Sequence, residues 1–165
     1  MTIIADTGPL VGLAKIRELT LLGSLAETVL ISPVVRRELL GGTVEKEGPA
    51  LEKALEHLLR VEAPGTLAPE IEEALTGLDP GERSAIALAI TTEEDGVVLM
   101  DDRVGRRVAR ELDVPVTGLI GVLLRLKELG EIEAVTPRLE KVRARGYWLS
   151  DDIIATARRL AGENG

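Results

Sequence analysis

Four acidic positions recur where short apolar runs end or where a helix turns an apolar face inward. Asp6 closes Ile3-Ile4-Ala5, and Asp101, followed at once by Asp102, closes Val97 to Met100. Glu38 lies four residues after Val34 and three after Val35, on the face of a helix those two valines turn inward. Glu82 precedes Ala85 and Ile86 by three and four residues, at the inner face of another helix's first turn. Gathered into one hollow, such groups repel: two carboxylates about 5 Å apart cost roughly 3 kcal/mol at an effective dielectric of about 20. A divalent cation removes that penalty. The chain has no cysteine and one histidine, His57, so the ligands would be oxygens, and hard oxygen donors select Mg²⁺ or Mn²⁺.

Each acid also has a structural reading. Glu82 stands three residues after Asp79, where the reciprocal partner of a capping box belongs. Asp102 is placed to cap the helix that follows it, Asp6 to bond the backbone of its own turn, and Glu38 to pair with an arginine. Convergence of all four positions favours the metal reading over four separate coincidences.

The elements that must position these groups follow from the pattern. Ile3-Ile4-Ala5 carries no charge on either face, as a buried parallel strand requires, and Gly8-Pro9 opens a helix to about Ile16. A short helix near Leu19 to Leu25 precedes a strand at Thr28 to Ile31, and Ser32-Pro33 then starts the helix PVVRRELLG. After a Gly41-Gly42 break, Leu51, Leu55, Leu58 and Leu59 predict a helix over 49–59. Arg60 to Glu62 reads as an edge strand and Pro69 to Leu75 as a small helix. Leu78 to Ile90 forms a helix with Asp79 at its cap and Ala85, Ile86, Ala89 and Ile90 as its buried stripe. Gly96 ends it before a strand at Val97 to Met100. Val114 to Gly118 gives a fifth strand and Leu119 to Leu129 a helix. The tail from Pro137 to Ala161 gives two more helices, with Ser150 capping the last. No linker divides the chain, so residues 1–165 are read as one domain on which the C-terminal helices from about 137 pack.

Composition narrows the function. The 20 Lys+Arg against 28 Asp+Glu give a net charge of −8, which argues against a surface that coats nucleic acid all over. A basic patch nevertheless exists: Arg103, Arg106, Arg107 and Arg110 fall at i, i+3, i+4 and i+7, one stripe able to meet phosphates or to stand solvated beside acids. Aromatics make up 1% of residues and phenylalanine is absent, so stacking on aromatic platforms is not a main binding mode. No segment reads as a signal peptide or membrane span, which places the protein in the cytoplasm.

In order, IIADTGPLVGLAKI, PVVRREL, LDPGERSAIALA, LMDDRVGRRVA and VTGLIGVLLRLKELG resemble the PIN domain, the nuclease fold of VapC-type toxins, and within it a prokaryotic subgroup described as predicted nucleic-acid-binding proteins. The resemblance implies an α/β fold in three layers, α/β/α, with a central, mostly parallel sheet of about five strands. It implies Mg²⁺- or Mn²⁺-dependent hydrolysis of RNA, with Asp6, Glu38, Glu82 and Asp101 as the acidic quartet. Asp6, Glu82, Asp101 and Asp102 would hold metal, and the Thr7 hydroxyl would help. A VapC-type toxin further implies a small antitoxin partner and a homodimer. The apolar segments at Leu19 to Leu25 and Leu119 to Leu129 are candidate interfaces that core packing explains equally well. The reading from another class is a non-catalytic PIN-like module that binds RNA or protein; its sign would be a lost carboxylate, and none is lost. Asp6-Thr7-Gly8 is also the triplet of retropepsin-like proteases, but a helix follows it here at once.

Overall fold

The computed structural model describes residues 1–41 and 47–164. Along them run β1 (Thr2–Ala5), α1 (Thr7–Lys15), a 3-10 turn (Leu19–Ser24), β2 (Thr28–Ile31), α2 (Pro33–Leu40), α3 (Gly48–His57), β3 (Leu59–Val61), α4 (Pro69–Ala74), α5 (Pro80–Thr91), β4 (Gly96–Leu99), α6 (Arg103–Glu111), β5 (Val116–Thr117), α7 (Leu119–Glu128), α8 (Thr136–Ala144) and α9 (Asp151–Leu160). The strands form one sheet in the order β3-β2-β1-β4-β5, and every neighbouring pair is parallel. Parallel neighbours need crossovers, which the intervening helices supply. The result is the three-layer α/β/α architecture with β1 at its centre.

Both faces of the sheet are apolar, and the strand period of two divides them between separate cores. Ile3, Ala5, Val29, Ile31 and Leu99 face one core, shared with α1, α3, α7, α8 and α9. Ile4, Leu30, Val98 and Met100 face the other, shared with α5 and α6. This explains why β1 reads as an unbroken apolar run. Truncating one of its fully buried residues, such as Ile4→Ala, should cost about 2–5 kcal/mol.

Local chemistry sets the helix starts. Ser32 Oγ accepts from Val35 N at 3.0 Å and Ser150 Oγ from Ile153 N at 3.1 Å, each capping its helix as predicted. Gly41 is the C-cap of α2, while Gly42 of the predicted break lies outside the described residues.

Four features of the pattern resolve differently. Leu59 is not helical: α3 ends at His57, and Leu59 is buried in β3 opposite Val29. In α5 the buried arc is Ser84 to Leu88, with Ala89 and Ile90 only half-buried, because α5 packs against α2 and α6 as well as against the sheet. Gly96 does not end that helix, which stops at Thr91; it begins β4, where a Cβ would collide with Ile4 Cδ1 of the adjoining strand. The segments at Leu19 to Leu25 and Leu119 to Leu129 spend Leu19, Leu22, Leu119, Val122, Leu123 and Leu126 on the core, while Leu21, Leu25, Ile120 and Leu124 are half-buried and Leu129 is exposed. Among the described residues no helix is long and apolar enough to cross a membrane.

Candidate active site

The strand order decides where the site lies. From β1 the sheet grows through β2 to β3 on one side and through β4 to β5 on the other, so β1 and β4 border the point where the connections reverse. In open α/β sheets the crevice beyond the carboxyl ends of such a pair is where ligands bind. Asp6 follows β1 and Asp101-Asp102 follow β4. The ladder runs right up to them, with Asp6 N donating to Leu99 O at 2.9 Å and Met100 N to Thr117 O at 2.9 Å. Both positions are therefore fixed by backbone.

Around this crevice is a cavity of about 230 Å³ lined by Asp6, Thr7, Gly8, Pro9, Glu38, Asp79, Gly81, Glu82, Asp101 and Asp102. All five predicted acids and Thr7 are brought together. Glu38 arrives differently from expectation. The inward face of α2 is carried by Val35 and Leu39, and Glu38 is exposed, at the seam between α2 and α5. Its carboxylate still reaches the cavity, because the first turn of α5 has no side chain at Gly81: a Cβ there would collide with Glu38 Oε1 and lie 3.0 Å from Asp6 Oδ1. Gly105 in α6 makes room mainly for Met100, whose Sδ a Cβ there would meet at 2.6 Å, while Glu82 Oε2 and Asp102 Oδ2 would stand at ordinary contact distance.

The acids are held unequally. Asp102 Oδ2 accepts from Gly105 N at 2.7 Å and so caps α6. Asp101 is gripped at both oxygens, Oδ1 by Leu119 N at 2.9 Å and Oδ2 by the Tyr147 hydroxyl. Asp6 and Asp79 occupy helix N-cap positions but make no side-chain cap; of the capping box predicted at Glu82, only its own half, the bond back to the Asp79 backbone N–H, is made.

Electrostatics follow. Burial drives Asp6 up to about 6; the Thr7 backbone N–H opposes the shift, and Glu38, Asp102 and Asp101 add to it. Burial, then the charges of Asp102, Asp6 and Asp79, raises Glu82 to about 7. No lysine or arginine lines the cavity among the described residues. The cavity is a concentration of negative charge, with Arg106 approaching only at its Asp101 side.

These donors fit a hard divalent cation. Thr7 Oγ1 is buried beside Asp6 with no hydrogen-bond partner, a hydroxyl whose lone pairs are unclaimed by the protein. Among the described residues no three acidic or imidazole side chains already stand in an arrangement that would hold a metal ion together. An open cluster suits Mg²⁺, which keeps several waters and takes only one or two carboxylates directly.

The arginine stripe divides in space. Arg106 is half-buried and its guanidinium nears the site: a Cβ on Gly118 would lie 2.7 Å from Arg106 Nη1 and would collide with Asp101 Oδ1. Arg107 faces Glu111 at 3.8 Å, and Arg103 and Arg110 are exposed.

Two contributors were missed by sequence reasoning. Asp79 was legible only as a cap. Tyr147 follows α8 far from the other motifs, and its single signal was rarity, since it is the one tyrosine in a chain without phenylalanine.

No curated protein matches the chain. A family model described as PIN domain matches residues 2–163. With the match spanning nearly the whole sequence, and the sheet and acidic crevice both falling within it, the chain belongs to the PIN-domain family.

Proposed function

We propose that this protein is a Mg²⁺- or Mn²⁺-dependent endoribonuclease. PIN domains are generally nucleases, and the observation that carries the finer reading is the meeting of Asp6, Glu38, Glu82, Asp101 and Asp102 in one cavity that, among the described residues, no cationic side chain lines. Such a cluster destabilises the fold unless something positive fills it.

Asp6, Glu82, Asp101 and Asp102 would hold the cation, with Thr7 Oγ1 completing its shell directly or through water. When bound, the ion supplies Lewis acidity toward a phosphate oxygen and acidity to a water molecule. The chain's own groups do the rest. Leu119 N and Tyr147 fix the rotamer of Asp101, so that its remaining lone pairs keep one direction. Glu38, at the exposed rim, is placed to accept a proton from an attacking water. Arg106, whose guanidinium stands near Asp101, would meet a phosphate flanking the scissile one. Arg103, Arg107 and Arg110 extend that contact along α6, positioning the strand without reading its sequence.

The VapC-like part of the proposal brings a cytoplasmic toxin, a homodimer and a small antitoxin protein as partners; the ordered run of motifs supports it. Growth arrest on induced expression, relieved by Asp6→Asn, would test it.

The test of the nuclease is cleavage of a mixed RNA pool with Mg²⁺, Mn²⁺ or EDTA, beside Asp6→Asn and Asp101→Asn variants checked for folding. Cutting that needs metal and is lost in both variants is the expected result. If wild-type protein neither cuts nor binds metal, the non-catalytic binding module replaces it.

A further inference from the structure

The chain has one tyrosine, one tryptophan and no phenylalanine, and the two aromatic residues are consecutive, Tyr147-Trp148. The cores on both faces of the sheet are filled by aliphatic side chains; Tyr147 packs at the edge of one of them, and Trp148 belongs to neither. Gly146, at φ +98, reverses the chain after α8 and delivers Tyr147 to the crevice. The Tyr147 ring lies against α1, where a Cβ on Gly12 would come 3.1 Å from Cε2, and its hydroxyl binds Asp101. Tyr147 thus ties this segment to the acidic site.

Trp148, the next residue, is 80% exposed. Consecutive Cα atoms stand about 3.8 Å apart, so the indole begins one residue from a side chain touching the site. An indole left this open gains little from burial, and its planar face is free to meet a ligand.

Resting on the nuclease reading above, we infer that Trp148 is the platform on which an unpaired nucleobase of the RNA strand stacks as its phosphate enters the crevice. Every base has a π-face, so the contact tolerates sequence. It is closed to a base already stacked within a duplex, which makes single-stranded RNA the substrate class. Arg106, beside Asp101, would meet the backbone of the same strand. Composition argued against stacking as a main mode, and this proposal needs only a single stack, on the one exposed indole.

Trp148 is the sole tryptophan, so intrinsic fluorescence at its excitation edge reports this position alone. The test is titration of wild-type protein, in EDTA to prevent cleavage, with an oligouridine strand, the same strand annealed to oligoadenine, and an abasic strand of equal length. Quenching by the single strand but by neither of the others is expected. By anisotropy of a labelled strand, Trp148→Ala should bind about tenfold more weakly, the loss typical of one base–aromatic stack, and Trp148→Phe should recover most of it. Equal quenching by the abasic strand, or unchanged binding by Trp148→Ala, overturns the inference. So does quenching that grows with protein concentration without RNA, which would assign the indole to a second copy of the chain. Metal-dependent cutting with an unchanged KM in Trp148→Ala would sink the platform and leave the nuclease standing. Single-strand quenching with no cutting under any metal would keep the platform and remove the nuclease.

Discussion

Acidic residues at the two ends of the same sheet are treated in opposite ways. Where the strands begin, Glu94, just before β4, accepts from the Thr2 hydroxyl at 2.5 Å and pairs with Arg60 of β3. Those two hydrogen bonds, Thr2 first and Arg60 second, hold its carboxyl below the usual range. Where the strands end, Asp6 and Glu82 face other acids, and their carboxyls are pushed up to about 6 and about 7, chiefly by burial. A carboxylate that ties strands together is given a donor and a cation. Those that line the crevice are left beside their own kind. The contrast separates a structural acid from a functional one more sharply than exposure does, since Glu38 is exposed yet belongs to the functional end.

The contrast can be broken most severely by neutralising one acid at each end. Asp6→Asn should reduce metal-dependent RNA cleavage on the order of 10²–10³-fold, the range for removing one electrostatic element of a preorganised site. Glu94→Gln should leave cleavage rates alone. Equal losses in the two variants would abolish the distinction.

A smaller effect should come from Tyr147→Phe, which keeps the ring against Gly12 but frees Asp101 Oδ2. Outer-shell partners of metal ligands typically contribute 10- to 100-fold, so cleavage should fall by about that much and weaker Mn²⁺ binding should appear in calorimetry. Wild-type metal affinity in this variant would show that the Leu119 backbone N–H suffices to orient Asp101.

Metal itself should stabilise the fold. At a hundredfold excess over Kd the gain is about 2.7 kcal/mol, or roughly 5–10 °C in Tm for a chain of this length, reversed by EDTA. The pH dependence has a definite sign. In the metal-free protein, Asp6 and Glu82 hold protons that the unfolded chain has already released. Their contribution to stability is full below the ordinary carboxylate range and is lost as pH rises through about 6 and about 7. Protons compete with the cation at the same oxygens, so the metal-induced rise in Tm should be larger above that window than below it. A rise independent of pH would place the ion elsewhere.

Least of all, Glu94→Gln should lower the melting temperature slightly without altering the response to Mn²⁺, as loss of a partly exposed ion pair does. A changed metal response in this variant would mean that the two ends of the sheet communicate.

Much was legible in the sequence because the governing physics is local. Apolar runs too short and uniform for amphipathic helices marked β1, β2 and β4. Ser32, Asp102 and Ser150 announced their helices by the hydrogen bonds their side chains make two or three residues on. Asp6 and Asp101 were marked by standing at strand ends, a property of the chain itself. Leu59 misled because an apolar residue two places beyond a helix continues the helical spacing as well as it starts a strand, and only pairing with Val29 separates the two.

What the chain alone determined, then, were the elements, their caps and the identity of the acids. Tertiary structure decided that β4 lies against β1 rather than against β3, since either neighbour is compatible with an apolar parallel strand, and that choice puts Asp101 beside Asp6. It also decided which acids find partners: Arg60 lies 34 residues from Glu94, and Tyr147 lies 46 from Asp101. No local pattern encodes contacts over such separations. They exist because the sheet closes in one order and the chain turns at Gly146, just beyond α8, bringing the next residue back toward the crevice.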